Sequence, residues 1–167
     1  MRRKAAASVF AVAGLIAACS SSRIEGGVFH SAKGYTVSLP GEGWRVERGG
    51  LADLELKREA PPGGMLADAT CEGGERAPRL PVLARHLTFG LTDRVTLESD
   101  VRTVDGRPAE HRVVRGVVDG APVGVEAVVV DGERCIHDFL YVAPIGPFEA
   151  GRRDFQAFVE SLSGRVR

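Results

Sequence analysis

Three cysteines and four histidines carry most of the chemistry open to this chain of 167 residues. Cys19 follows Ile16-Ala17-Ala18, at the end of an apolar stretch from Ala5 to Ala18 that is preceded by Met1-Arg2-Arg3-Lys4. A basic start, a short apolar core and small residues before a cut site describe an export signal. Cys71 and Cys135 remain as an even pair, and in an oxidising compartment such a pair usually bridges. Two free buried thiols, or half of a metal site, are the alternatives. The histidines, His30, His86, His111 and His137, show no metal-ligand spacing such as H-x₃-H. His137-Asp138 is a His–acid neighbour pair, but successive strand residues point to opposite faces and form no dyad. A cysteine nucleophile would need a free thiolate and a base. No G-x-S-x-G elbow and no phosphate loop occurs, and Gly41-x-Gly43 follows Pro40 as a plain turn. Glu25, Glu42, Glu47 and Asp53 read as solvated acids, and Trp44, Phe139 and Tyr141 as core. The chain is therefore expected to hold no catalytic residue, no cofactor and no metal.

The apolar stretch is 14 residues long, short of the roughly 20 that cross a bilayer as a helix. A cysteine directly after small residues resembles the lipobox of bacterial lipoproteins. That resemblance implies cleavage before Cys19, acylation of Cys19 and a membrane anchor through it. Several acyl chains anchor firmly, since each buried methylene contributes about 0.8 kcal/mol. In a Gram-negative host, Ser20 rather than aspartate after the cysteine favours the outer membrane. The domain reading is then 1–18 signal peptide, 19–27 acylated cysteine and short tether, and 28–167 a single globular domain. A polar tether over 20–27 spans at most about 28 Å, so the domain stays near the membrane surface.

Basic and acidic residues balance at 22 each, and loss of Arg2, Arg3 and Lys4 would leave the exported chain mildly acidic. No clustered basic segment suggests nucleic acid. Arginine far outnumbers lysine and asparagine is missing altogether, which reads as a GC-rich coding habit. Single arginines accordingly carry little functional weight at this level.

The elements that would position these residues are mostly strands. Val28–His30, Tyr35–Leu39, Trp44–Val46, Leu51–Lys57 and Met65–Cys71 alternate between Gly- and Pro-rich breaks. Leu80, Leu83, Leu87 and Leu91 predict a helix with Pro81 in its first turn. Phe155, Phe158, Val159 and Leu162 predict a second, amphipathic one ending near Gly164. Between them Asp105-Gly106, Asp119-Gly120 and Asp131-Gly132 punctuate Val- and Thr-rich segments, the pattern of a four-strand antiparallel meander. Its last strand is apolar on both faces and should be central.

Gly34-Tyr35-Thr36-Val37-Ser38-Leu39-Pro40 before Gly43-Trp44, then Val104-Asp105-Gly106-Arg107-Pro108-Ala109, Tyr141-Val142-Ala143-Pro144 and a Phe-rich last helix, resemble the PsbP-like family. The resemblance implies an α+β fold, an antiparallel β-sheet meander with helices packed on its two faces, as an α/β/α sandwich. In that order Cys71 and Cys135 fall at neighbouring strand ends and could bridge. The family brings no catalytic motif. The expected function is a membrane-anchored envelope lipoprotein that serves, without enzymatic activity, as a binding or assembly-accessory module with an envelope protein partner and no nucleic acid. An envelope hydrolase or a small-ligand carrier is the alternative.

Overall fold

A computed structural model describes residues 21–71, 79–132 and 134–164. Cys19 and the signal segment before it lie outside the described residues. Two antiparallel sheets are formed. The smaller one takes β1 (Arg23–Glu25), β2 (Val28–His30), β3 (Tyr35–Ser38) and, at the far end of the sequence, β11 (Ser163–Gly164), in the order β1-β2-β3-β11. The larger takes β4 (Arg45–Glu47), β5 (Leu54–Glu59), β6 (Pro62–Thr70), β7 (Thr92–Val104), β8 (Arg107–Val118), β9 (Ala121–Asp131) and β10 (Ile136–Pro144), in the order β4-β5-β6-β10-β9-β8-β7. β1 occupies part of the segment read above as tether.

Turn chemistry sets the meander. Asp105 and Gly106 both have positive φ, as do Asp119 and Gly120, so Val104 pairs with Arg107 and Val118 with Ala121 across two-residue turns. Asp131-Gly132 differs: Asp131 still pairs as strand with Ile136, leaving a longer connection. β10 lies between β6 and β9, which is why it is apolar on both faces.

The helices correct the expected sandwich. Strand makes up 55% of the structure and helix 15%. α2 (Phe148–Glu160) covers one face of the large sheet, burying Phe148, Gly151, Phe155, Phe158 and Val159. These side chains close the main core with Phe29, Tyr35, Val37, Phe139 and Tyr141. Among the described residues the opposite face has no matching helical layer. Its only helix among the described residues is α1 (Leu80–His86), seven residues long with Ala84 alone buried. The leucine spacing to Leu91 does not extend it, because the chain tightens into i→i+3 turns at Thr88 and Phe89 while the Thr88 hydroxyl donates back to the Arg85 carbonyl. A helix this short cannot shield a seven-stranded sheet. The described residues therefore form a mostly-β fold of two sheets with one covering helix, not an α/β/α sandwich with helices on both faces.

Cys71 and Cys135 are joined by a disulfide. Thr70 pairs with Ile136 at the last rung of β6 and β10, so the two cysteines occupy the next position outward. The bridge closes a separation of 64 residues, which in the chain-entropy description stabilises the fold by about 4 kcal/mol.

Candidate functional site

The largest concentration of buried polar chemistry lies on the α2 side of the sheet. Glu126 is the single acid within the apolar run of β9, and its side chain is fully buried. His111 on β8 is equally enclosed. Its Nε2 lies 2.9 Å from Glu126 Oε1 and its Nδ1 lies 2.7 Å from Asp100 Oδ1 on β7. Arg152 of α2 donates through Nε to Glu126 Oε2 at 2.8 Å and through Nη2 to Glu98 Oε2 at 3.0 Å. Gln156, one turn further along the helix, donates to Glu126 Oε1 at 3.2 Å.

A neutral imidazole carries one N–H, so a ring facing a carboxylate at each nitrogen needs both protons. Burial opposes the charge on His111, but the hydrogen bonds to Glu126 and Asp100 outweigh it and hold the pKa above 6.5. Burial likewise acts to raise the pKa of Glu126, while His111, Arg152 and Gln156 pull it below the usual carboxylate value. A general base needs a free lone pair facing its substrate. His111 has both nitrogens engaged and no exposed edge, so this network retains its proton and ties β7, β8, β9 and α2 together.

A second cluster gathers at the end of the sheet next to the disulfide. Lys33 Nζ spans Asp53 at 2.8 Å and Asp68 at 3.0 Å, and the Tyr35 hydroxyl donates to Asp53 at 3.0 Å. His137 packs edge-on against Tyr35 at 5.1 Å, and burial together with nearby Arg107 lowers its pKa. Asp138, its neighbour, faces the other side of the sheet, opposite Asp68 in register. Burial, with a smaller contribution from Asp68, pushes the Asp138 carboxyl up to about 6. Its Oδ1 is buried and has no partner among the described residues.

On that second face, beyond α1, the sheet is open. Leu66, Val123, Leu140 and Val142 floor a groove of about 540 Å³. Glu55, Lys57 and Glu59 of β5 form its rim.

Of the residues singled out in sequence, Phe139 and Tyr141 are core, and Trp44 is partly buried with its indole N–H donating to Asp154 at 3.0 Å. Among the described residues His30 and His86 join no polar cluster, and His137 and Asp138 are separated by the sheet. Sequence reasoning passed over His111, Glu126 and Arg152. A lone glutamate within Val125-Glu126-Ala127-Val128 was the available signal, since an acid inside an apolar strand must be paired. Among the described residues no group of three or more His, Cys, Asp or Glu side chains is placed to hold a metal ion. None of the described helices is long and apolar enough to cross a membrane.

No family model and no curated protein matches the sequence. Solved structures do. The cyanobacterial PsbP protein (CyanoP) of Synechocystis superposes with a TM-score of 0.62 at 12% identity, over 93% of this chain and 98% of that one. A Bacteroides thetaiotaomicron protein gives a TM-score of 0.63 at 10% identity over 86% of this chain, which spans 50% of that one. LpqN, a Mycobacterium tuberculosis protein involved in cell envelope biogenesis, gives 0.58 at 14% identity, over 77% of this chain and 83% of that one. At these identities the likeness speaks for architecture alone. The described domain thus has a PsbP-like fold.

Proposed function

We propose that the chain is a lipid-anchored cell-envelope module, held at the membrane by acylated Cys19, that binds a protein partner and performs no chemistry of its own. The observation that carries this reading is the open sheet face, an apolar groove rimmed by charges of alternating sign. A rim with both signs complements a folded protein surface and not a uniformly anionic bilayer. The filled core, with Phe139, Tyr141 and Phe155 fully buried, leaves little room for an enclosed apolar cargo and disfavours the carrier alternative. The locked proton on His111 supports the non-enzymatic side of the reading, and LpqN's involvement in envelope biogenesis supports the setting.

The test is photo-crosslinking in the native host from a reactive residue at position 140, inside the groove, and at position 153, on exposed α2. The reading expects one recurrent envelope protein from position 140 and not from 153, with its yield cut several-fold by Lys57→Glu on the rim. Identical products from both positions, or none from either, would overturn it.

A further inference from the structure

At the other end of the open face, between α1 and the β7–β8 edge, three arginines line one small pocket. Arg85, Arg94 and Arg112 surround it with Thr88, Thr96 and Val114, and its volume is about 220 Å³. Arg58, Arg102, Arg107 and Arg152 each sit against a carboxylate. The pocket arginines do not. Among the described residues none of the three forms an ion pair, and their hydrogen bonds go to neutral oxygens. Arg94 Nη1 donates to the Thr88 carbonyl at 3.3 Å, Arg112 Nη1 to Thr96 Oγ1 at 3.4 Å and Arg112 Nη2 to Ser99 Oγ at 3.4 Å. Arg112 Nε is buried with no partner among the described residues.

Three guanidinium groups around one space repel one another, and a buried N–H without an acceptor has given up its hydrogen bond to water for nothing. An oxyanion in the pocket would relieve both. Planar guanidinium forks offer paired N–H groups that match phosphate oxygens, and the Thr96 hydroxyl, which accepts from Arg112, keeps its own proton to donate. Ser99 is already turned toward this role, because its hydroxyl donates to buried Glu110 at 3.2 Å and presents a lone pair to Arg112. The volume selects the ligand. It is below the roughly 300–1,000 Å³ of sites for drug-sized molecules, yet holds one phosphoryl group with several waters at about 30 Å³ each.

We infer that Arg85, Arg94 and Arg112 form a binding site for a single phosphate group. That group can belong to an anionic phospholipid of the membrane or to a soluble phosphate. Phe89 beside the pocket is 58% exposed, with the Arg94 guanidinium 5.6 Å over its ring and the His86 ring tilted against it at 4.7 Å. An exposed aromatic next to a phosphate site is what a bilayer interface accommodates. The inference is independent of the groove reading, since it involves a different part of the surface.

Phenylglyoxal labelling of the full-length chain, read arginine by arginine by mass spectrometry, tests it. Inorganic phosphate, against chloride at matched ionic strength, is one arm. Incorporation of the same chain into phosphatidylglycerol-containing nanodiscs, against phosphatidylcholine nanodiscs, is the other. Selective protection of Arg94 and Arg112, with exposed Arg153 unchanged, is expected. Half-protection by phosphate at about 1 mM or below identifies a soluble source. Protection only in the anionic bilayer identifies a lipid headgroup. Arg112→Gln should raise the half-protecting concentration at least about tenfold, the loss of one charge-assisted hydrogen bond. Arg85→Gln, on the exposed helix surface, makes the same test if the first variant does not fold. No protection in either arm, or equal protection of Arg153, would overturn the inference.

Discussion

His111 and Asp138 show how one physical rule, that burial penalises charge, ends differently according to partners. His111 is buried between two carboxylates and stays protonated. Because its folded pKa is raised, the stability it contributes is complete below 6.5 and is lost as pH climbs through the folded value. The urea midpoint of the wild type should fall as pH rises above about 7, whereas that of His111→Gln should stay flat over the same window. A wild-type profile as flat as the variant's would contradict the two-carboxylate arrangement. Asp138 is the opposite case, a carboxyl with an unpartnered oxygen and a pKa pushed up to about 6. Its raised value means that its favourable contribution exists below 3.8 and disappears by about 6, so at neutral pH the ionised group is a burden. Asp138→Asn should stabilise the fold at neutral pH by about 1–3 kcal/mol in equilibrium unfolding, and the gain should vanish at about pH 4. A destabilised variant would place an unseen partner on the carboxylate.

Helix α2 owes its seat to a glycine at a position where alanine would ordinarily be the better residue. In a helix interior Gly→Ala gains about 0.5–1 kcal/mol. A Cβ on Gly151, however, would collide with the Tyr141 hydroxyl and crowd the Arg58 guanidinium. Tyr141 is held there by its hydrogen bond to the Phe148 carbonyl at 3.0 Å, and Arg58 by its ion pair with Asp154 at 2.7 Å. Gly151→Ala should therefore destabilise by about 1–3 kcal/mol, as overpacking does, and a stabilised variant in thermal unfolding would show that α2 sits further from the sheet. The same elements show what was legible beforehand. Asp105-Gly106 and Asp119-Gly120 announced their hairpins because turn chemistry is local. Phe155, Phe158 and Val159 announced α2 because its stripe is long. The leucines from Leu80 to Leu91 misled, since spacing alone does not reveal that the chain tightens after His86. β1 and β11 were invisible for another reason: three- and two-residue strands exist only through their tertiary pairing. Buried polar groups were the hardest to read, because nothing local tells that His111 on β8 will meet Asp100, Glu126 and a helix carrying Arg152.

Across the whole molecule the charges are segregated. The α2 side closes a core under a self-compensated ionic network, while the open face divides into an apolar groove with a mixed rim and a pocket whose arginines pair with no carboxylate among the described residues. The recognition proposed above falls on the face that no helical layer covers among the described residues. The disulfide at the end of β6 and β10 suits an oxidising compartment, and the proposed attachment at Cys19 would keep that face within reach of a membrane. Everything about setting depends on that attachment. The direct measurement is the intact mass of the native chain purified from the membrane fraction, with sequencing of its N-terminal peptide. A chain beginning at acylated Cys19, with Cys71 and Cys135 joined, is the expected result. An unprocessed chain starting at Met1, recovered from the soluble cytoplasm with free thiols, would contradict it.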